Sequence, residues 1–219
     1  MQFKNTIPYF ALASMLVFTA CGGGTEKKAT EEETKTPEVQ TCVYSYDAAT
    51  TAVNWTAYKF TEAVGVNGKF DQIEVTETQE GKTGGEVIAQ ASFNIPISSI
   101  NTANPDRDKK IQEFFFGSLE QSAQMTGKVV KVEGDGSTGK VTLDFTLNSL
   151  TQPLEVDMTM SGDTLKLNGI INLDNWSAQG GIESLNKACK DLHTGADGKS
   201  VLWPEVKISI HTVLKKNCQ

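Results

Sequence analysis

The sequence predicts an all-β domain, an extended antiparallel barrel of about eight strands with one or two short helices at the barrel ends. Three observations carry this. Long stretches alternate strictly between apolar and polar side chains, the period of a strand with one buried face. Turn-forming clusters separate them at residues 81–85, 134–136, 151–153 and 195–198. Several of the alternating runs reach roughly eight to eleven residues, longer than the usual sandwich strand, which favours a tilted barrel wall.

In chain order, the first segment stands outside that barrel. Lys4 precedes an apolar run from Ile7 to Phe18, which ends in Thr19, Ala20 and Cys21. A run of about a dozen residues is too short to cross a bilayer, which needs roughly 20, so residues 1–20 read as a secretory signal peptide. Residues 18–21 resemble the bacterial lipobox, with Phe18 where Leu is usual. That implies lipidation of Cys21 and a membrane-anchored protein facing the periplasm or cell surface. Gly22 stands where an inner-membrane retention signal has Asp, which favours the outer membrane. Residues 22–40 mix charges of both signs with almost no apolar side chain. Such a run cannot bury enough surface to offset its ordering entropy. Residues 21–41 are therefore expected to be a lipidated cysteine and a flexible tether about 25 Å long on average, and 42–219 the folded domain.

Within that domain, strands are expected at 43–47 with 52–60, 66–77, 86–95, 123–133, 139–148, 153–161, 164–173 and 204–214. The alternation is sharpest where Val141, Leu143, Phe145 and Leu147 face one way and Lys140, Thr142, Asp144 and Thr146 the other. Leu154, Val156, Met158 and Met160 repeat it, and Val87, Ala89, Ala91, Phe93 and Ile95 form another such face. Two stretches break the period. Asn104 can cap a helix, Pro105 fits its first position, and Ile111, Phe114 and Phe115 then share a face. A second short helix is expected over 181–192, where Ile182, Leu185 and Cys189 align. Both belong at a barrel end.

Composition narrows the function. The formal net charge is −7 over 219 residues, and no cluster of Lys or Arg marks a nucleic-acid surface. With Cys21 assigned to lipid, Cys42, Cys189 and Cys218 remain in a disulfide-permitting compartment. Cys42 opens the domain and Cys218 nearly closes it, so that pairing is favoured over either with Cys189. His193 and His211 have no Cys or acidic partner at metal-ligand spacing. No nucleophile elbow, P-loop or dinucleotide motif is present, so neither catalytic residues, a metal nor a cofactor is expected.

The order of motifs resembles the YceI-like family of bacterial exported proteins: Trp55 to Lys59, Gly65 to Phe70, Ser92 to Ile97, Ser99 to Thr102, Asn104 to Asp108 leading to Phe114 to Phe116, Gly139 to Leu147 and Thr151 to Val156. The likeness covers residues 43–214, and its most specific part is Ser99 to Phe116. Asn148 to Thr151 lacks the usual His, and Trp176 replaces a usual Phe. The resemblance implies a lipocalin-like barrel that binds, stores or carries a long isoprenoid lipid, such as a polyprenyl diphosphate or prenylquinone. Each buried CH2 of such a chain is worth about 0.8 kcal/mol, and alternating strands can supply a long apolar tunnel.

On that reading Phe93, Phe114, Phe115, Leu143, Phe145, Leu147, Val156, Met158 and Leu167 are the candidate lining, against the alternative of a filled core. Arg107, with Asp106 and Asp108, is the candidate headgroup site, because a guanidinium matches a diphosphate. The competing role for the carboxylates is stabilisation of a helix's first turn. Trp55 and Trp203 are candidates to close a barrel end, against ordinary packing. The rival functions are an interaction lipoprotein with a solid core and an accessory enzyme acting on such lipids. A homodimer is left open.

Overall fold

The alternating segments pair as their period requires. The structure, a computed structural model, describes residues 41–219. The expected signal peptide (1–20), the expected lipidation site Cys21 and the expected tether from Gly22 to Gln40 lie outside the described residues. In chain order the elements are β1 (Cys42–Ser45), β2 (Ala52–Lys59), β3 (Val64–Phe70), β4 (Glu74–Thr76), α1 (Gly84–Ile88), β5 (Ser92–Pro96), β6 (Ile100–Asn101) and α2 (Pro105–Lys110). There follow β7 (Gln124–Gly134), β8 (Thr138–Leu147), β9 (Leu150–Ser161), β10 (Thr164–Asn172), α3 (Gln179–Ala188), α4 (Lys190–His193), β11 (Glu205–Val213) and β12 (Lys215–Cys218).

Ten strands form one antiparallel sheet in the order β4-β5-β7-β8-β9-β10-β11-β2-β3-β6. Its two ends are tied by the chain itself. β3 and β4 stand near opposite ends of that order, yet only residues 71–73 separate them, and β5 and β6 are joined by Ile97–Ser99. Four residue steps reach at most roughly 14 Å, so the sheet must curl until its ends meet. The two connecting segments cross this seam and hydrogen-bond to each other, Asp71 N–H donating to the Ser99 carbonyl at 2.8 Å. The fold is thus the expected all-β curled antiparallel architecture. The sheet has two strands more than the eight predicted, because the 66–77 run divides into β3 and β4 where it crosses the seam and the two-residue β6 adds to β3.

The inner face follows the pattern read from the sequence. Val141, Leu143, Phe145 and Leu147 on β8 are buried, as are Leu154, Val156 and Met158 on β9. These strands meet through a two-residue turn, Asn148 and Ser149, both at positive φ, the geometry that suits a twisted hairpin. The turn therefore precedes the predicted 151–153, and Pro153 lies inside β9. Asn148 also braces its surroundings: its Nδ2 donates to the carbonyls of Trp176 and Ser177, and its Oδ1 accepts from Glu120 N–H.

One predicted strand is partly a helix. Residues 84–88 form α1, and only Ser92–Pro96 pair as β5. Thr83 Oγ1 accepts from Glu86 N–H at 3.2 Å, and the Glu86 carboxylate accepts from Lys82 N–H at 2.7 Å. Thr83 and Glu86 thus form a variant of the capping box, in which Glu86 reaches back to the residue before the cap, and these local bonds outweigh the alternation that follows. The two glycines that open α1 let its backbone press into the barrel. A Cβ at Gly85 would come 2.9 Å from Val132 and 3.3 Å from Met158, and one at Gly84 would come 2.9 Å from Leu165. With Val87 fully buried, α1 plugs this end of the barrel.

The first and last strands of the described residues form a separate ribbon. β1 pairs with β12, Cys42 opposite Cys218, and the two cysteines are disulfide-bonded. Cys189 is a free, buried thiol.

Candidate binding cavity

The end of the barrel away from α1 is hollow. A cavity of about 170 Å³ lies between the inner face of the sheet and a helical layer, and only apolar and aromatic residues line it. Val53 and Trp55 of β2, Leu143, Phe145 and Leu147 of β8, and Ile208 and Ile210 of β11 form the sheet side. Ile111, Phe115, Phe116, Ile182 and Leu185 form the helical side. An apolar void near 150 Å³ stays dry and accepts apolar guests. Left empty, this volume would forfeit on the order of 4 kcal/mol at about 24 cal/mol per Å³.

Aromatic rings are held flat against the wall by glycines on the neighbouring strand. Trp55 faces Gly68 across β2 and β3, and Phe93 faces Gly127 across β5 and β7. A Cβ at Gly68 would come 2.1 Å from the indole, and one at Gly127 would come 2.3 Å from the Phe93 ring. Phe145, opposite Gly127 on its other side, stacks with Phe93 at 6.3 Å and 26°. Trp176 meets Phe145 edge-on at 5.5 Å and donates from Nε1 to the Phe145 carbonyl at 2.9 Å.

The helical cover is shaped by a π-helical turn over Ile111–Phe115, directly after α2. Phe116 N–H reaches back to the Ile111 carbonyl, the wide spacing of a π turn. The wider turn brings Ile111, Phe115 and Phe116 to the cavity. Phe114, which ordinary helical spacing placed on that face, is not on the wall, and Phe116 takes its place. Gly181 of α3 packs against Phe115, where a Cβ would come 2.9 Å from the ring.

Of the nine predicted lining residues, Phe93, Phe115, Leu143, Phe145 and Leu147 border the cavity. Val156 and Met158 do not: both are almost fully buried in the solid end, where α1 fills the lumen. Leu167, opposite Met158 on β10, packs at that same level. Trp55 and Trp203 both line the cavity. The Trp55 indole N–H is buried without a hydrogen-bond partner among the described residues.

The predicted headgroup cluster lies elsewhere. Asp108 accepts from Thr102 N–H and Oγ1–H at 2.8 and 2.6 Å, so it fixes the start of α2. Asn104 caps the same turn through Arg107 N–H at 3.0 Å. Asp106 is exposed, and Arg107 pairs with neither carboxylate among the described residues. None of the three lines the cavity.

One end of the cavity is polar outside its apolar lining. His193 Nδ1 contacts Asn186 Oδ1 at 3.1 Å, Ser200 Oγ–H donates to the same oxygen at 2.8 Å, and Lys59 Nζ donates to the Leu192 carbonyl at 3.0 Å. Burial, and then the charges of Lys59 and Lys110, push the His193 imidazole down to about 4.

Residues 44–214 match the YceI-like domain. The chain belongs to the YceI-like family. Among solved structures, this YceI-like chain is similar to BcnA of Burkholderia cenocepacia, with a TM-score of 0.52 and 17% identity, over 78% of this chain and 99% of that one. It is equally similar to a polyisoprenoid binding domain from Saccharophagus degradans implicated in plant cell wall breakdown. There the TM-score is 0.52 and the identity 15%, over 81% of this chain and 99% of that one. At these identities the likeness describes the YceI-like fold. The sequence has no significant match among curated proteins.

Proposed function

We propose that this protein binds a long isoprenoid lipid in the barrel cavity, and that it stores or carries the lipid as an exported lipoprotein tethered through Cys21, with the outer membrane favoured. The wholly apolar cavity of about 170 Å³ carries the reading. A void of that size is destabilising unless filled, and an isoprenoid tail fills it with apolar contacts alone. The solved domain from Saccharophagus degradans that shares the fold is named as polyisoprenoid binding, which supports the same ligand class here. Binding is favoured over chemistry because Tyr58 is the one titratable side chain of the lining and no second titratable group stands with it there.

The test is native mass spectrometry of protein purified from a bacterial envelope, followed by organic extraction. A stoichiometric prenyl lipid is expected, and Ala57→Phe, which places a ring in the cavity, should abolish it. Recovery of ligand-free wild type that also takes up no added prenyl lipid would favour an interaction protein instead. Cys21→Ser should move the protein from the membrane to the soluble fraction.

A further inference from the structure

The cavity reaches the surface at Trp203, which both lines it and is 38% exposed. Trp203 is held at the end of β2, its backbone N–H donating to the Tyr58 carbonyl at 3.0 Å and its indole N–H to the Phe60 carbonyl at 2.7 Å. Val64 stands opposite Lys59 at the start of β3, an even number of residues before Phe70, so it shares the face by which Phe70 lines the cavity. It is nevertheless 47% exposed. Leu192 of α4 is 57% exposed, and its carbonyl accepts from Lys59 Nζ at 3.0 Å. Leu150 opens β9 at the same end of the barrel, since β9 runs antiparallel to β10, and β10 to β11, which begins just after Trp203. Four of the seven large apolar side chains exposed among the described residues therefore stand at the hollow end, while Val130, Ile170 and Val213 lie apart on three different strands.

Exposed apolar residues scattered singly need no partner, but a set around the mouth of an apolar cavity marks a contact with something apolar. The chemistry of the cavity selects a bilayer. Every CH2 of a prenyl tail exposed to water shifts its partition unfavourably by roughly fourfold, so a long tail passes from bilayer to barrel only with the mouth against the bilayer. Charge does not select the seat. Lys59, Lys190 and Lys199 are interleaved there with Glu62, Asp191 and Asp197. The length of chain ahead of the domain fits the same seat. That segment enters at Cys42, on the ribbon beyond the last residue of β11, and the nine residues of β11 set the mouth roughly 27 Å from there. The residues from Cys21 to Cys42 reach roughly 70 Å when extended, enough for the mouth to turn to the membrane that holds the anchor proposed above.

We infer that Val64, Leu150, Leu192 and Trp203 form a membrane-docking surface, by which the domain seats its hollow end on the bilayer that carries its anchor. These side chains enter the boundary between headgroups and acyl chains, and the cavity opens onto it. This rests on the lipid-binding reading above and adds the route by which the lipid enters. Trp203 suits such a boundary, because its ring is apolar and its indole N–H already has the Phe60 carbonyl as partner. Since the seat is apolar and the charges around it are of both signs, neutral phosphatidylcholine suffices and salt has little effect.

The test uses the full chain on phosphatidylcholine vesicles whose acyl chains carry bromine, which quenches indole fluorescence at short range. Wild type should be quenched relative to plain phosphatidylcholine vesicles, equally at low and high salt. Trp203→Phe should remove that quenching, and any remainder reports Trp55 and Trp176, which are buried in the barrel. Val64→Ser with Leu192→Ser should lose as much as Trp203→Phe although Trp203 is still present. Both positions are exposed, so the fold is not at stake. Ile170→Ser with Val213→Ser, exposed elsewhere, should keep the wild-type quenching. Equal quenching of wild type and Trp203→Phe, or quenching that survives the Val64 and Leu192 substitutions, overturns the docking surface. So does quenching that appears only with anionic vesicles or at low salt, and an unquenched wild type leaves the mouth to a protein partner. Extraction judges the lipid-binding reading separately. Prenyl lipid recovered from a protein whose Trp203 is not quenched refutes docking alone, and a quenched Trp203 with no lipid recovered or taken up refutes lipid binding alone.

Discussion

His193 shows how a single residue registers its place in the molecule. Its imidazole is pushed down to about 4 by burial and by Lys59 and Lys110, against an ordinary value near 6.5. Folding therefore favours the neutral ring. The contribution to stability is fully present above about pH 6.5 and is lost as pH falls from there through about 4, because the unfolded chain takes up the proton first. For a ring about half exposed, solvent screening reduces the effect to about 1–2 kcal/mol. Urea unfolding at pH 7 and pH 4.5 should show that loss in wild type beyond whatever His193→Gln loses, and equal losses in both would refute it. Asp108 illustrates the opposite case, a residue whose role the sequence left divided. Whether such a carboxylate meets a ligand or the chain depends on its partners, and Thr102 takes it.

At the scale of elements, the glycines behind the aromatic rings keep the lumen open. Gly127→Ala would drive a methyl group into the Phe93 ring, and overpacking of this kind costs about 1–3 kcal/mol. The variant should unfold at lower urea concentration and take up less apolar ligand, because the displaced Phe93 ring is part of the cavity wall. Unchanged stability and uptake would contradict that account. Strand alternation on β8 and β9 was readable from side-chain period alone, and it located Leu143, Phe145 and Leu147 on the inner face. Two local devices were not readable that way. The capping box of Thr83 and Glu86 turned part of an alternating run into a plug, and the plug decided that Val156 and Met158 lie in solid core instead of bordering the cavity. The signal was present, since a Thr followed three residues later by Glu marks a helix start. The π turn that exchanges Phe114 for Phe116 has no comparable signature, because it inserts one residue into an otherwise ordinary helical pattern.

For the whole domain, the barrel is hollow at one end, solid at the other, and its first and last strands are fastened together. The Cys42–Cys218 bond spans 176 residues, and closing a loop of that length is expected to contribute roughly 3–5 kcal/mol by restricting the unfolded chain. Dithiothreitol should lower the urea midpoint by a corresponding amount and steepen the denaturant dependence, since the reduced unfolded chain exposes more surface. The paired Cys42→Ser and Cys218→Ser variant should match the reduced protein and no longer respond to reductant, and a wild type indifferent to reductant would refute the clasp's contribution. The clasp also makes almost the entire domain a covalent ring. A protease that nicks one exposed turn, such as the one around Gly162, opens the ring without dividing it. The severed halves would stay joined to one another and to the segment preceding Cys42 until a reductant released them.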